Sequence, residues 1–284
     1  MKVMKEVLDI TIERWSKMNT IDYDVTQAKK IVRGYPWISG CDSRYGKVYF
    51  NSNEKLNSLL SGFDFEDKDI LTVLASSDQL FYFYNNGANR VDTFDRNKLT
   101  IYYYYFRKWI IEYRNRYYPK VKLTRNTILK IISKVIPKTE EENNALYFWK
   151  KFYSNNYSNN FNELFILDPN LDKNKIKNNK ELRNRIINED IDFYNIDITK
   201  EFSIDRKYDY IYTSNIHDYI GSFKELEIYR DNLYNLLNDN GVVISSNLSY
   251  NLCNSNELGI FSSKFDYEIL DNNVGYVYKK KEGR

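Results

Sequence analysis

The sequence predicts an α/β fold organised on a mostly parallel sheet. Three observations carry that expectation. Short apolar runs such as Ile70 to Leu74 and Val242 to Ile244 read as strands covered on both faces, not as half-exposed ones. Segments with helical spacing stand between several of them. The first two runs are separated by about one strand–helix–strand repeat.

That repeat is Asp69 to Asn97, the stretch around which the chain is organised. Ile70, Leu71, Val73 and Leu74 form the first strand. The small residues Ala75, Ser76 and Ser77 follow, with Asp78 behind them. Leu80 to Tyr84 reads as helix and stops at Asn85-Asn86-Gly87, a C-cap signal. Arg90 to Phe94 is the second strand and ends on Asp95, 20 residues after Ala75. Small residues at the first turn let a ligand approach the backbone and the helix N-terminus. A carboxylate about 20 residues further on is spaced to accept hydrogen bonds from ribose hydroxyls. The glycine-rich phosphate fingerprint is absent, which favours a nucleoside without phosphate over a dinucleotide.

These residues carry a resemblance. LTVLASSDQLFYFYNNGANRVDTFDRNKL, Leu71 to Leu99, resembles the first two strands of class I methyltransferases that use S-adenosylmethionine (SAM). More narrowly it resembles the SAM:diacylglycerol 3-amino-3-carboxypropyl transferases of betaine-lipid synthesis, in which a small-Ser-small turn replaces the glycines. GKVYFNSNEKLNSLL, Gly46 to Leu60, resembles that family's aromatic-then-acid segment, with Glu54 as the acid. The likeness spans roughly residues 45–115 and is patchy over 190–250. It implies a Rossmann-like, mostly parallel seven-stranded sheet with SAM as cofactor. The implied cofactor contacts are Glu54, Ala75, Ser76, Ser77, Asp95 with its neighbour Arg96, Asp197, Ser214 and Asn215.

Composition narrows the classes. At 284 residues the chain can bury a full core. A net charge of +3 is too small an excess to imply nucleic acid. The 27 tyrosines, with abundant Asn, Lys and Ile, match an AT-rich coding bias and carry little functional weight. Cys41 and Cys253 lack metal or CxxC spacing and read as free thiols, so a cytoplasmic setting is expected. No apolar run approaches a membrane span, and the first 15 residues do not read as a signal peptide. No metal motif or P-loop is present, and no metal is expected.

Taken in order, residues 1–60 are expected as a mainly helical N-terminal cap. Pro36 breaks the pattern, and Asn51, Ser52 and Asn53 are cap formers for a helix over 53–60. Residues 61–284 are then the SAM-binding domain, interrupted by a helical insertion over 117–185. Asn97 is placed to cap a long helix whose aromatic stripe, Ile101 to Tyr113, faces the core, with Arg107, Lys108, Arg114 and Arg116 toward solvent. Leu123 to Ile136, Thr139 to Trp149 and Lys173 to Ile187 read as further helices.

The sheet is expected to resume near 191–196, 208–213 and 242–246. Ser222 and Glu225 form a capping box ahead of a helix, and Asn238 to Gly241 turns into the fifth strand. Phe265 to Leu270 and Val274 to Lys279 pair as a terminal hairpin. The strand over 208–214 runs into Asn215, Ile216 and His217, the only histidine. Its place at a strand end suits a general base as well as a purely structural hydrogen-bonding residue. The function expected is SAM-dependent transfer, of a methyl group to a small-molecule or lipid-like acceptor. The alternatives are transfer of the 3-amino-3-carboxypropyl group and a non-catalytic binding module.

Overall fold

The computed structural model describes residues 18–32, 42, 44–52, 54–114, 124–154, 164–166, 179–246, 255–270 and 275–281. Cys41, Cys253, Pro36, Asn53 and Arg116 lie outside them, as do the expectations attached to those residues. The chain divides into two units, Met1–Phe50 with Asn97–Leu167 and Asn51–Arg96 with Asp168–Arg284. Residues 51–60 therefore group with the second unit, not with the residues before them. Among the described residues no helix is long and apolar enough to cross a membrane.

The first unit is mainly helical. Helix α1 covers residues 18–32. The two-residue strand β1 (Val48–Tyr49) pairs in parallel with β4 (Phe165–Ile166), a pairing the sequence did not announce. Between them come α4 (Leu99–Arg114), α5 (Arg125–Ile132) and α6 (Glu140–Ser154). The aromatic stripe of α4 is core, as its spacing required: Tyr102 to Phe106 and Trp109 are buried. Tyr102 stacks on Phe148 at 4.1 Å between ring centroids, and Trp149 Nε1 donates to the Tyr102 carbonyl at 2.8 Å.

Two of the basic residues expected on a solvated face are instead buried. Arg107 is inside, and Lys108 Nζ is 2.8 Å from Glu142 Oε1, with both side chains almost wholly enclosed. The aromatic residues of α4 leave no polar face at these positions, and the α6 acid supplies the charge that a buried ammonium needs. Asp24 on α1 is fully buried too. It accepts hydrogen bonds from Tyr45 at 2.5 Å and from Tyr102, and Lys98 Nζ lies 2.8 Å away.

The second unit carries the sheet. Its strands are β2 (Asp69–Val73), β3 (Arg90–Phe94), β5 (Phe193–Tyr194), β6 (Tyr208–Ser214), β7 (Leu237–Ser246), β8 (Phe265–Ile269) and β9 (Gly275–Lys280). Their order is β5-β3-β2-β6-β7-β9-β8. The first five pair in parallel, and β9 runs antiparallel between β7 and β8. This is the expected Rossmann-like, mostly parallel seven-stranded sheet with an antiparallel hairpin at one edge. Counting strands in chain order, the first and fourth (β2 and β6) are neighbours, so the order reverses there and a crevice opens beyond their carboxyl ends.

Helices α2 (Leu56–Leu60), α3 (Asp78–Asn85), α7 (Lys180–Asn188), α8 (Phe223–Leu236) and α9 (Ser255–Ser262) complete this unit. Helix α3 ends as predicted, with Gly87 at φ +80°, the left-handed C-terminal position. Ser222 accepts from the Glu225 N–H at 3.2 Å and caps α8. Three local expectations are corrected. Strand β5 is only two residues long; after it the Asn195 side chain is tied to the Asp95 carbonyl and Asp197 closes a local side-chain turn on the Thr199 N–H. Strand β7 starts at Leu237 and includes Asn238 to Gly241 instead of turning there. The irregularity appears as a register shift against β6 and a left-handed Asn240, φ 62°. Helix α2 begins at Leu56 behind an N-cap Lys55 whose side chain makes no cap bond, since Ser52 is engaged elsewhere.

Candidate functional site at the carboxyl ends of the central strands

The turn after β2 has an unusual backbone for residues that are not glycine. Ala75 has φ 40° and Ser77 φ 72°, both left-handed, and Ser214 at the end of the neighbouring β6 has φ 54°. Such residues each cost on the order of 1–3 kcal/mol and persist where their surroundings over-determine them. The Ala75 N–H donates to Asp95 Oδ2 at 3.0 Å, and the Ser77 N–H to the Leu74 carbonyl at 2.6 Å. Ser77 is the N-cap of α3, but its hydroxyl makes no cap bond and is buried without a hydrogen-bond partner.

Asp78 does not cap α3. It is the helix's first residue, and its Oδ2 accepts the Ser52 N–H at 2.6 Å and the Ser76 hydroxyl at 3.2 Å. Asp95 ends β3 half-buried, with one oxygen on the turn. Asn195 Nδ2 donates to the carbonyls of Asp95 and Arg96 at 2.8 and 3.1 Å, holding the segment that follows. Arg96 is more exposed and lies 3.7 Å from Asp197 Oδ2. Asp197 Oδ1 accepts from the Thr199 N–H and hydroxyl at 3.1 and 2.7 Å.

Glu54 sits at the centre of a buried polar cluster. Its Oε1 accepts from the hydroxyls of Ser214 and Ser246, at the ends of β6 and β7. Its Oε2 accepts from Tyr212 OH at 2.6 Å and Gln79 Nε2 at 3.3 Å. Gln79 Nε2 also reaches Ser52 Oγ at 3.4 Å, which joins the cluster to the Asp78 side. Burial, and then the Glu54 charge beside it, holds the Tyr212 phenol well above its ordinary range. The Gln79 carbonyl oxygen beside Glu54 makes no hydrogen bond to the described residues, and elsewhere in this unit the same holds for Asn51 Oδ1, Ser77 Oγ, Thr213 Oγ1 and Ser245 Oγ. Each such group costs about 1–3 kcal/mol.

Beyond Ser214 the chain makes a 3₁₀ turn, Ile216–Tyr219. Asn215 Nδ2 is 3.4 Å from the hydroxyl of the exposed Tyr219, and Asn215 Oδ1 lies 3.1 Å from Ser214 Oγ. The His217 side chain is only 9% exposed. It packs edge-on to Tyr276 at 6.0 Å between centroids. Nε2 is 3.1 Å from Asp218 Oδ1 but out of hydrogen-bonding line, and neither ring nitrogen makes a hydrogen bond to the described residues.

Of the residues singled out in the sequence, Ala75 joins Asp95, Asp95 and Arg96 share Asn195, Arg96 reaches Asp197, and Glu54 joins Ser214. Ser76 turns toward Asp78. Sequence reasoning missed Gln79, Tyr212 and Ser246. Ser245-Ser246 was within reach, because small polar residues closing an apolar strand are the signal that Ala75 to Ser77 give. Tyr212 and Gln79 carried no signal, since one sits inside a strand and the other inside a helix.

No protein-family model matches this chain, and no curated protein matches it. Solved structures do align with it. A TehB-like SAM-dependent methyltransferase from Corynebacterium glutamicum is similar at TM-score 0.42 and 10% identity, over 81% of this chain and 90% of that one. The N-methyltransferase NodS from Bradyrhizobium japonicum, in complex with S-adenosyl-L-homocysteine, is similar at TM-score 0.38 and 9% identity, over 80% and 84%.

Proposed function

We propose that this chain is a SAM-dependent methyltransferase acting on a small-molecule or lipid-like acceptor. One observation carries the reading. The turn after the first strand, at the point where the strand order reverses, is bent by Ala75 and Ser77 and tied to the acid that ends the second strand. That is where an open α/β sheet takes a nucleoside, with the small turn against the ligand and the acid on the ribose.

The donor set fits the rest of the cofactor. Glu54 and the carbonyl oxygen of the Gln79 amide beside it form an acceptor-rich group suited to an ammonium. A carboxylate has about four acceptor positions, and Glu54 meets Tyr212, Ser214, Ser246 and Gln79 among the described residues. An incoming ammonium therefore displaces a hydroxyl, and Ser214 can turn to Asn215 Oδ1, 3.1 Å away. Bound SAM supplies an activated electrophilic carbon, so alignment of the acceptor carries much of the rate. Asp95 orients the nucleoside, Glu54 the amino-acid end, and Asp197 with Arg96 borders the base.

Calorimetric titration with SAM and S-adenosylhomocysteine tests the reading. Both should bind, and Asp95→Ala should weaken SAM by a factor of ten or more, since hydrogen bonds to a charged group are worth about 1.5–3 kcal/mol each. Unchanged affinity in the folded variant removes Asp95 from the site. Absence of binding in the wild type favours a non-catalytic module. Turnover that releases S-adenosylhomocysteine marks methyl transfer, whereas methylthioadenosine marks 3-amino-3-carboxypropyl transfer.

A further inference from the structure

We propose that His217, with Asp218 beside it, is the general base of this transfer, and that the acceptor attacks through an oxygen or nitrogen that carries a proton. The inference rests on the SAM reading and deepens it by naming the acceptor's chemistry. Its ground is geometric. The left-handed Ser214 turns the chain sharply at the carboxyl end of β6, and three residues later the 3₁₀ turn sets His217 at the ligand end of the sheet. There the imidazole, its side chain 9% exposed, packs edge-on to Tyr276, which belongs to the apolar core of the sheet. Buried polar groups are ordinarily hydrogen-bonded, and a histidine kept only for structure would be expected to use at least one nitrogen. His217 uses neither toward the described residues. Among the described residues, the titratable groups recorded against it are Asp218, 3.1 Å from Nε2 on its own turn, and Tyr276 from β9, whose ring packs edge-on. A base beside a carboxylate can take a proton from the acceptor and have the resulting charge offset.

The step balances as follows. A lone pair on the acceptor oxygen or nitrogen forms a bond to the transferred carbon. That carbon's bond to sulfur breaks, and its electron pair stays on the sulfur. The proton of the attacking atom passes to a ring nitrogen of His217, and Asp218 offsets the positive charge. A thiolate or a carbanion would have no proton to give up, and a base would be idle.

Because His217 is the only histidine, its ring nitrogens can be read alone in the full chain. The chain labelled with ¹⁵N-histidine is titrated with S-adenosylhomocysteine, whose binding is verified separately by calorimetry. If calorimetry detects no binding, the SAM reading fails and the inference falls with it. If it binds and the ring-nitrogen signals shift, His217 adjoins the site as required. If it binds and those signals stay fixed from pH 5 to 9, the proposal is overturned while the SAM reading stands.

Turnover with labelled SAM against amines, alcohols, phenols and thiols gives the second arm. Transfer to an oxygen or nitrogen acceptor is expected, with His217→Gln lowering kcat by about 10²–10⁴ and leaving SAM affinity unchanged. Asp218 acts through the histidine, so Asp218→Asn should lower kcat more than it changes KM, with SAM affinity retained. Wild-type kcat in folded His217→Gln, or transfer confined to thiols, overturns the proposal.

Discussion

Glu54→Gln separates the two things this buried acid can do. The amide keeps the shape and removes the charge. The Gln carbonyl still accepts from Tyr212 and Gln79, while its NH₂ faces Ser214 and Ser246, whose hydroxyls can rotate to accept. The structural cost is then the loss of charge assistance, about 1–2 kcal/mol, or a fall in melting temperature of roughly 2–8 °C for a chain of this size. The ligand cost is different. If Glu54 holds the cofactor's ammonium, removing the charge forfeits about 1.5–3 kcal/mol, a 10- to 150-fold rise in Kd for SAM. Methylthioadenosine has no amino-acid part, so its Kd should stay within about twofold on the same scale. The assay is paired calorimetry on one protein preparation, with melting followed in parallel. Equal losses for both ligands, or no loss for SAM, would refute the ammonium role and leave Glu54 as the acceptor that ties α3, β6 and β7 together.

Three further outcomes are expected. Lys108→Met strands Glu142 inside the helical unit and should cost about 3–5 kcal/mol by urea unfolding, whereas adding Glu142→Leu should restore much of it; simple additivity would show that the pair is not coupled. Burial raises the phenols of Tyr84, Tyr102, Tyr153 and Tyr212, so their stabilising contribution is complete below pH ~10 and is lost above it, at about 1.4 kcal/mol per pH unit each. Phenolate absorbance should therefore rise together with loss of circular dichroism above that pH, and smooth ionisation in a chain that stays folded would contradict the burial. Ser77→Gly removes a left-handed serine and an unpartnered hydroxyl and should stabilise by about 1 kcal/mol, seen as a higher melting temperature; an unchanged or lower one would mean that the turn carries no strain.

The sheet was legible because its central strands are buried on both faces, and that condition writes itself into sequence as Ile70 to Leu74 and Val242 to Ile244. Asp95 was singled out by its spacing, and it does reach back 20 residues to the Ala75 N–H, whereas Glu54 was singled out only by resemblance. What failed was local and decided by tertiary partners. Asn51, Ser52 and Asn53 have the chemistry of caps, yet Ser52 is spent on Asp78, Gln79 and Glu54, so α2 starts later without one. Arg107 and Lys108 look like solvent residues from composition alone; only the position of Glu142, 34 residues away on another helix, makes a buried lysine tenable. The short β1–β4 pairing joins residues more than a hundred apart and has no periodicity long enough to show.

The missing glycines of the first turn and the two acids of the site belong to one arrangement. Left-handed backbone normally calls for glycine, and this chain uses Ala75, Ser77 and Ser214 instead, at the ends of the two strands that flank the reversal of strand order. A strained turn holds only if something fixes it from outside. Asp95 fixes Ala75 through its N–H, and Glu54 holds Ser214 through its hydroxyl. Each acid therefore joins a strained residue, and on the proposed reading it also stands where the cofactor meets the protein. A glycine turn would adopt the same bend without a carboxylate to hold it, and would leave the acids free to drift. Built from alanine and serine, the turn requires its acids in place before any ligand arrives. Pre-positioned carboxylates lower the ordering cost of binding, and the strain is the stability the chain gives up for them.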